Sequence, residues 1–322
     1  MSVDLATLYD ALTEVTRGTV ERSYPLARFT TYRLGGPAQI YVEPAGIEDL
    51  VALSTQLRAL DPEGAIPVLV VGRGSNLIIS DAGWPGIAVR LGQPFAGLDL
   101  RVDDPASFDV GAGKPLPLVA NWSARRGLAG MEWAVGVPGS IGGAVRMNAG
   151  AHGSDLAAVL VHATVISLDG GEVSERGGAE LDLSYRHSNL NDREIVVSAR
   201  LKLTPEPPEA IRARMETFRK HRAATQPGAL QNAGSTFKNP AGDSAGRLVE
   251  AAGLKGWRIG GASVSDIHAN FFMADDSATA QDVFDLIHDV RRKVNDAFGV
   301  KLTPEVRFAG SFAEREAEVR PT

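Results

Sequence analysis

Three polar residues, far apart in the chain, are of types that could do chemistry. Ser235 lies in QNAGSTFKNP (231–240), a small-residue turn just ahead of Lys238 and Asn239. Arg186 lies in LDLSYRHSNL between Tyr185 and His187, and Glu305 follows Pro304 in LTPEVRF at the start of a strand-like run. No histidine or acid sits beside Ser235, and AGSTF lacks the second glycine of a G-x-S-x-G nucleophile elbow, so a Ser-His-Asp hydrolase is poorly supported. Taken singly, the three read as a turn hydroxyl, a surface guanidinium and a solvated carboxylate. The six histidines (152, 162, 187, 221, 268 and 288) show no H-x-x-x-H or H-E-x-x-H spacing, which argues against a metal. The chain has no cysteine, which removes disulfides and thiolate chemistry.

Two glycine-rich stretches add a second kind of signal. VLVVGRGSNLIIS places Gly72, Arg73, Gly74, Ser75 and Asn76 directly after a short buried strand, where converging backbone N–H groups suit a pyrophosphate. A dinucleotide fingerprint needs a third glycine and a helix at this point. Leu77 stands in the glycine's place and LIIS is strand-like, so the Rossmann reading fails, and a bare strand–turn–strand connection accounts for these residues equally well. The second stretch, VGVPGSIGGAVRMNAGAHG, holds Gly136, Gly139, Gly142, Gly143, Gly150 and Gly153 within 18 positions, with Pro138 and Asn148 among them. Glycine costs about 0.5–1 kcal/mol relative to alanine in regular structure and is usually tolerated where backbone approaches a ligand closely. Tight packing of the chain on itself is the plainer account, but two such stretches in one chain favour a large phosphate-bearing ligand.

The elements that must position these residues are legible from periodicity. AQIYVEP and IPVLVVG read as strands joined by a helix whose face is Ile47, Leu50, Val51 and Leu57, which implies parallel pairing. NLIIS and GIAVRL follow as strands around the turn-rich DAGWP. A second region begins near Gln93: FDVGAG is strand-like, Pro115 to Arg126 is helical and stops at Gly127, AAVLVHATVISL runs into the hairpin signal DGG, and REIVVSARLKL is a further strand. After the proline-rich TPEPPEA come a helix over Ile211 to Ala223, another over about Ala245 to Ala252, and a last one. Thr279 and Asp282 form a capping-box pattern ahead of its apolar face Val283, Ile287, Val290 and Val294; Gly299 ends it, and VKLTPEVRF reads as a strand. The N-terminus predicts an amphipathic helix with Leu5, Leu8, Leu12 and Val15 on one face. The class is mixed α and β.

With 322 residues the chain can form two or three domains, and 44% hydrophobic with 22% charged residues is ordinary globular composition. The N-terminus lacks the basic start and apolar centre of a signal peptide and no run is apolar enough to span a membrane, so a cytoplasmic protein is expected. A net charge of −6 argues against nucleic acid as a partner, while leaving room for an anionic small ligand. The charged tail EREAEVRPT reads as solvated.

Taken together the motifs carry a resemblance. TTYRLGGPA, GRGSNLIISDAGWPG, VGVPGSIGGAVRMNAGAHG, SYRHS, NAGSTFKNP, AGRLVEAAGLKGWRIGGASVSDIHANF and LTPEVRF follow one another over about residues 25–310. In that order the chain resembles the UDP-N-acetylenolpyruvoylglucosamine reductase (MurB) family of bacterial peptidoglycan synthesis. The resemblance implies an α+β fold: an FAD-binding two-domain unit of the vanillyl-alcohol-oxidase (PCMH) type plus a C-terminal α+β substrate domain. The expected divisions are 1–92 with 299–322 returning to it, 93–205, and 206–298. By match, Gly72, Arg73, Gly74, Ser75, Asn76, Val137, Pro138, Gly139, Ser140, Gly142, Gly143, Ala144, Asn148, Gly150 and Gly153 are expected to line the flavin, with Arg33 and Arg247 as further candidates. The implied reaction takes hydride from NADPH to FAD and on to the enolpyruvyl ether of UDP-N-acetylglucosamine. Arg186 would stabilise the enolate, Glu305 would assist in its acid form, and Ser235 would protonate the α-carbon, which explains a serine without a base. Lys238, Asn239, Lys255 and His268 fall at substrate-contact positions, although His268 could equally be a satisfied core histidine.

The stretch from Arg200 to Asn232 is too short for the lid loop and tyrosine of the family's longer branch, so the shorter branch is expected and no lid tyrosine is assigned. Two competing readings keep part of this picture. One is a flavin oxidase of the same fold, marked by rapid aerobic reoxidation with hydrogen peroxide; the other is a non-catalytic UDP-sugar-binding module, marked by the absence of flavin.

Overall fold

A computed structural model describes residues 4–228 and 231–313. The charged tail discussed above lies outside the described residues. The chain forms two compact units: Met1–Tyr24, Ala38–Arg73 and Pro85–Arg222 make the first, and Pro25–Pro37, Gly74–Trp84 and Ala223–Thr322 the second.

The first unit contains two sheets. One has the strand order Thr19–Pro25, Pro37–Glu43, Trp84–Arg90, Val68–Val71. Val68–Val71 pairs parallel with the end of Trp84–Arg90, Val68 opposite Ile87. The two strands joined by the helix Ile47–Leu60 therefore share a sheet without being neighbours, because the later strand Trp84–Arg90 lies between them. That helix buries Leu50, Leu53 and Leu57, whereas Val51, expected on the same face, is 39% exposed. The N-terminal helix Leu5–Val15 is capped by Asp4, which accepts from Ala6 N at 2.9 Å, and it buries Leu8 and Leu12 in the same core. Val15, at its last turn, is turned outward.

The second sheet of this unit is antiparallel throughout, in the order Val173–Arg176, Leu160–Ser167, Glu194–Lys202, Ser107–Gly111, Leu98–Leu100. The expected DGG hairpin joins the first two, while Ala157 and Ala158 of AAVLVHATVISL belong to a short 3₁₀ turn instead. The helix Leu116–Arg125 starts after Pro115, whose fixed φ needs no N–H donor there, and packs Leu116, Val119 and Ala120 into this sheet's core.

The second unit is built on the helices Ala245–Ala251 and Ala280–Phe298, a three-stranded antiparallel sheet (Arg258–Ile259, Ala262–Val264, Phe272–Ala274) and a parallel pair, Leu77–Ile79 with Arg307–Ala309. The capping box forms as expected, Thr279 Oγ1 accepting from Asp282 N at 3.1 Å and Asp282 from Thr279 N at 2.9 Å. Asp81 adds a carboxylate at the same helix start, accepting from Ala280 N and Gln281 N at 3.0 Å each. VKLTPEVRF is not one continuous strand. Pro304 makes an isolated antiparallel bridge with Phe237, and only Arg307–Ala309 is regular strand.

Asp49 stitches the first unit together. Its carboxylate is 3% exposed and accepts from the N–H groups of Arg17, Gly18 and Ala45 at 2.8–3.1 Å. Burial pushes its pKa up, but these N–H groups together hold it below the ordinary carboxylate value. Asp49→Asn should lower unfolding stability by about 2–4 kcal/mol near neutral pH, from three weakened bonds to a charged acceptor. Because the folded-state pKa is the lower one, the wild-type advantage is complete above the unfolded value of about 4 and is lost as pH falls through the folded value. Urea unfolding curves of both proteins from pH 7 to pH 3 should therefore converge on acidification.

Candidate functional site

Each compact unit carries candidate residues of its own. In the second unit, residues 235–238 run between two other segments. On one side Ser235 bridges Phe271, Thr236 N donates to Asn270 O at 2.8 Å, and the Asn270 side chain both accepts from Phe237 N and donates to Phe237 O at 2.9 Å. On the other side Lys238 N donates to Thr303 O at 2.9 Å and Glu305 N to Thr236 O at 2.8 Å. Ser235 and Glu305, 70 positions apart in sequence, are thus carried on adjoining backbone. No histidine or carboxylate among the described residues of this unit hydrogen-bonds the Ser235 hydroxyl. Asn76 Nδ2 donates to Glu305 O at 3.0 Å, so the end of the first glycine stretch fixes the backbone of the carboxylate.

Asn270 did not stand out in the sequence. Its signal there is an amide inside the apolar run HANFFMA, and it is 3% exposed in the fold. A buried amide is tolerated only when satisfied, and both its functions are used on the serine segment. His268 is half-buried beside it, with Nδ1 accepting from Asn270 N at 3.2 Å, which puts the proton of the neutral ring on Nε2. Burial holds His268 below the usual imidazole value against the opposing pull of its own backbone; the charge of Lys255 adds to the lowering and that of Glu250 opposes it. Lys255 pairs with Glu250 at 2.7 Å, and Asn239 Oδ1 accepts from Ala245 N at 3.0 Å at the start of the helix. Arg247 is exposed and grips Asp243, whose pKa is drawn down to about 2 by that guanidinium. Arg33 is exposed as well, at a positive φ of 58°.

In the first unit the two glycine-rich stretches meet. A Cβ on Gly72 would lie 2.7 Å from the Ser140 hydroxyl. Ser140 caps the helix Ile141–Met147, an element that the density of glycine in this stretch hid from the sequence reading. Gly142 and Gly143 are needed for different reasons. A Cβ on Gly142 would press on Ala112 Cβ at 3.0 Å, where Gly142 N also donates to Ala112 O at 2.8 Å, so this glycine lets the helix settle on the sheet. Gly143 has no positive φ, and a Cβ there would touch nothing but the Ser140 hydroxyl at 3.6 Å. The chain's own packing does not require a glycine at 143, where bare backbone would let a flat ligand approach closely. The exposed backbone at Gly143 leaves room for a cofactor such as FAD.

Arg186 sits at the tip of a two-residue turn closed by reciprocal backbone bonds between Ser184 and His187. Its φ is 55°, a left-handed value uncommon for a side chain of this size, and its Nη2 donates to Gly150 O at 2.8 Å. Asn148, expected to line a flavin, is 2% exposed, with both amide hydrogens used within the protein, on Asp155 and Ser184 O.

Comparison with known proteins agrees with this geometry. Residues 38–175 match a sequence profile described as FAD binding domain, which defines the class of protein as a flavoprotein. Residues 226–309 match the profile described as UDP-N-acetylenolpyruvoylglucosamine reductase, C-terminal domain. Relatives carrying that reductase name are 44% identical over 92% of this chain and 96% of their own in Synechococcus elongatus, and 42% identical over 91% and 98% in Rubrobacter xylanophilus. A crystal structure of the MurB reductase from Thermus caldophilus, 36% identical, superposes with a TM-score of 0.77 over 91% of this chain and all of that one. The chain belongs to the UDP-N-acetylenolpyruvoylglucosamine reductase (MurB) family.

The contrast between the two neighbouring glycines is testable without any turnover assay. Gly143→Ala should leave the fold intact or stabilise it by up to about 1 kcal/mol, as glycine to alanine in a helix does, while weakening FAD retention at least tenfold in a dialysis titration. Gly142→Ala should instead lower thermal stability. Equal FAD retention by Gly143→Ala and the wild type would remove Gly143 from the cradle.

Proposed function

We propose that this protein catalyses the NADPH-dependent reduction of UDP-N-acetyl-3-O-(1-carboxyvinyl)glucosamine to UDP-N-acetylmuramate in peptidoglycan precursor synthesis, as a UDP-N-acetylmuramate dehydrogenase. The observation that carries the reading is the pairing of the Ser235 segment with the Glu305 segment inside the portion of the chain that matches the reductase C-terminal domain. When bound, FAD supplies hydride transfer, from NADPH to the terminal methylene carbon of the enolpyruvyl group. The residues that would hold it in the first unit are those around Gly72 and the start of the helix Ile141–Met147, with the exposed backbone of Gly143.

The chain's own residues provide for the charge and the proton. Hydride addition to the methylene carbon places negative charge on the neighbouring α-carbon and its carboxylate. Arg186, a fixed cation whose turn is closed by backbone bonds, offsets that charge without reorganising at the moment of reaction. Glu305 would assist only from its acid form, as a hydrogen-bond donor to the enolate, a role that requires a raised pKa. Ser235 delivers its hydroxyl proton to the α-carbon, completing the lactyl ether, and later regains a proton from solvent. A serine hydroxyl is too weak an acid to protonate water, yet it is acidic enough for a carbanion-like centre, so it needs no histidine partner. Lys238, Asn239, Lys255 and His268 would contact the substrate's phosphates, carboxylate or uridine. Residues 1–92 and 93–205 would carry the flavin and 206–298 the substrate. Among the described residues no helix is long and apolar enough to cross a membrane, and a cytoplasmic place of action suits a soluble UDP-sugar.

The test separates the half-reactions under anaerobic conditions. Ser235→Ala should be reduced by NADPH at close to the wild-type rate but reoxidised by the enolpyruvyl substrate at least 10³-fold more slowly, roughly the upper part of the range for losing a general acid. Equal loss in both halves would remove Ser235 from the proton-transfer role. Wild-type protein that reoxidises in air with hydrogen peroxide, and ignores the substrate, would be an oxidase instead.

A further inference from the structure

The family-level reaction assigns work to Arg186 but leaves open what holds it in place. Arg186 lies at the tip of a surface turn in the left-handed region of backbone space, where a long side chain would ordinarily sample many directions. Its neighbours form a closed circuit of bonds, all within the first unit. Arg186 Nη2 donates to Gly150 O. Gly150 is the register partner of Asp155 in the short hairpin Gly150–Ala151 with Ser154–Asp155. The Asp155 carboxylate accepts from Asn148 Nδ2 at 3.0 Å, and the same nitrogen donates to Ser184 O at 3.1 Å, two residues before Arg186. Asn148 Oδ1 accepts from Ala157 N at 2.9 Å, which pins the far end of the hairpin.

Asn148 is the member on which this circuit closes. It ends the helix Ile141–Met147 with a φ of 39°, a cap position that usually takes glycine. An asparagine there keeps the left-handed backbone and adds two donors and one acceptor. All three are used on the hairpin that receives the guanidinium and on the turn that carries it. The side chain is 2% exposed, and neither amide hydrogen is left for a ligand.

We propose that Asn148 is a positioning residue for Arg186, fixing the guanidinium by tying the Ser184–His187 turn to the Gly150–Asp155 hairpin. The inference rests on the reduction reaction proposed above. Its effect falls on the substrate half-reaction, where charge develops opposite Arg186, and not on the delivery of hydride from NADPH.

The experiment uses the FAD-loaded full chain: wild type, Asn148→Gly, Arg186→Ala and the double variant, followed by anaerobic stopped-flow absorbance of the flavin. Glycine keeps the left-handed backbone and deletes only the side chain. Asn148→Gly should be reduced by NADPH within about twofold of the wild type and lose roughly 10–100-fold in reoxidation by substrate, the scale of a loosened catalytic group. In the Arg186→Ala background the same change should add less than about twofold, because the residue it positions is gone. Reoxidation of Asn148→Gly at the wild-type rate, equal losses in both half-reactions, or additive losses in the double variant would each overturn the inference. Should Asn148→Gly lose its flavin, Asn148→Asp is the second variant: it keeps the shape and the acceptor for Ala157 N but turns an oxygen toward Ser184 O and Asp155. The same split is expected of it, and loss of flavin from both variants would place Asn148 in the cofactor cradle and overturn the positioning role. A wild-type protein that NADPH reduces but the substrate does not reoxidise would instead sink the assigned reaction, an outcome visible before any variant is made.

Discussion

Irregular backbone must find hydrogen-bond partners outside any ladder, and in this protein short amide and carboxylate side chains supply them. Asn270 takes both backbone groups of Phe237, Asn148 ties three separate segments, and Asn76 holds the carbonyl of Glu305. Asn232 accepts from Gly234 N at 3.0 Å and donates to Gly228 O at 2.6 Å, shaping the turn ahead of Ser235. Away from the site the same device recurs: Asp49 gathers three N–H groups, and Asp61, 1% exposed, accepts from Ala65 N and Ile66 N. Buried groups of this kind destabilise a fold unless every bond is made, so each one specifies a single local arrangement.

This arrangement reconciles two demands on a catalytic site. The groups proposed to handle charge and protons must lie where a ligand can reach them, which means turns and loops. They must also hold their direction to within a fraction of an ångström. Ser235, Glu305 and Arg186 are all half-buried on segments that are not regular strand or helix; the backbone around Ser235 and Glu305 is bonded to neighbouring segments, and Arg186 reaches one through its guanidinium, on Gly150 O. The apolar cores beneath, such as the edge-to-face pair Phe237 and Phe272 at 5.7 Å, give those segments a floor.

Much of this was legible in the residues themselves. The last helix, its capping box and its apolar face follow from Thr279, Asp282 and the spacing of Val283, Ile287, Val290 and Val294, because caps and helical periodicity act over a few residues. The rejection of a dinucleotide turn after Val71 also needed only local reading, since Leu77–Ile79 is strand in the fold. What misled the reading was equally local. Glycine density hid the helix Ile141–Met147, and VKLTPEVRF suggested one strand where the fold has an isolated bridge at Pro304 and a separate strand Arg307–Ala309. Asn270 carried no pattern, because the meaning of a buried amide depends on which backbone lies beside it.

The sequence by itself determined the class of fold, the order of most elements, the kinship to the reductases and the identity of the residues proposed to act, because motif order and periodicity are properties of the chain. Only the tertiary structure decided which of those residues share a support. It set Ser235 on backbone adjoining Glu305, brought Gly72 against Ser140, and directed the amide hydrogens of Asn148 to Asp155 and to Ser184 O in the turn that carries Arg186. The physical reason is that a hydrogen bond between residues 36 or 69 positions apart depends on packing, which no local spacing encodes.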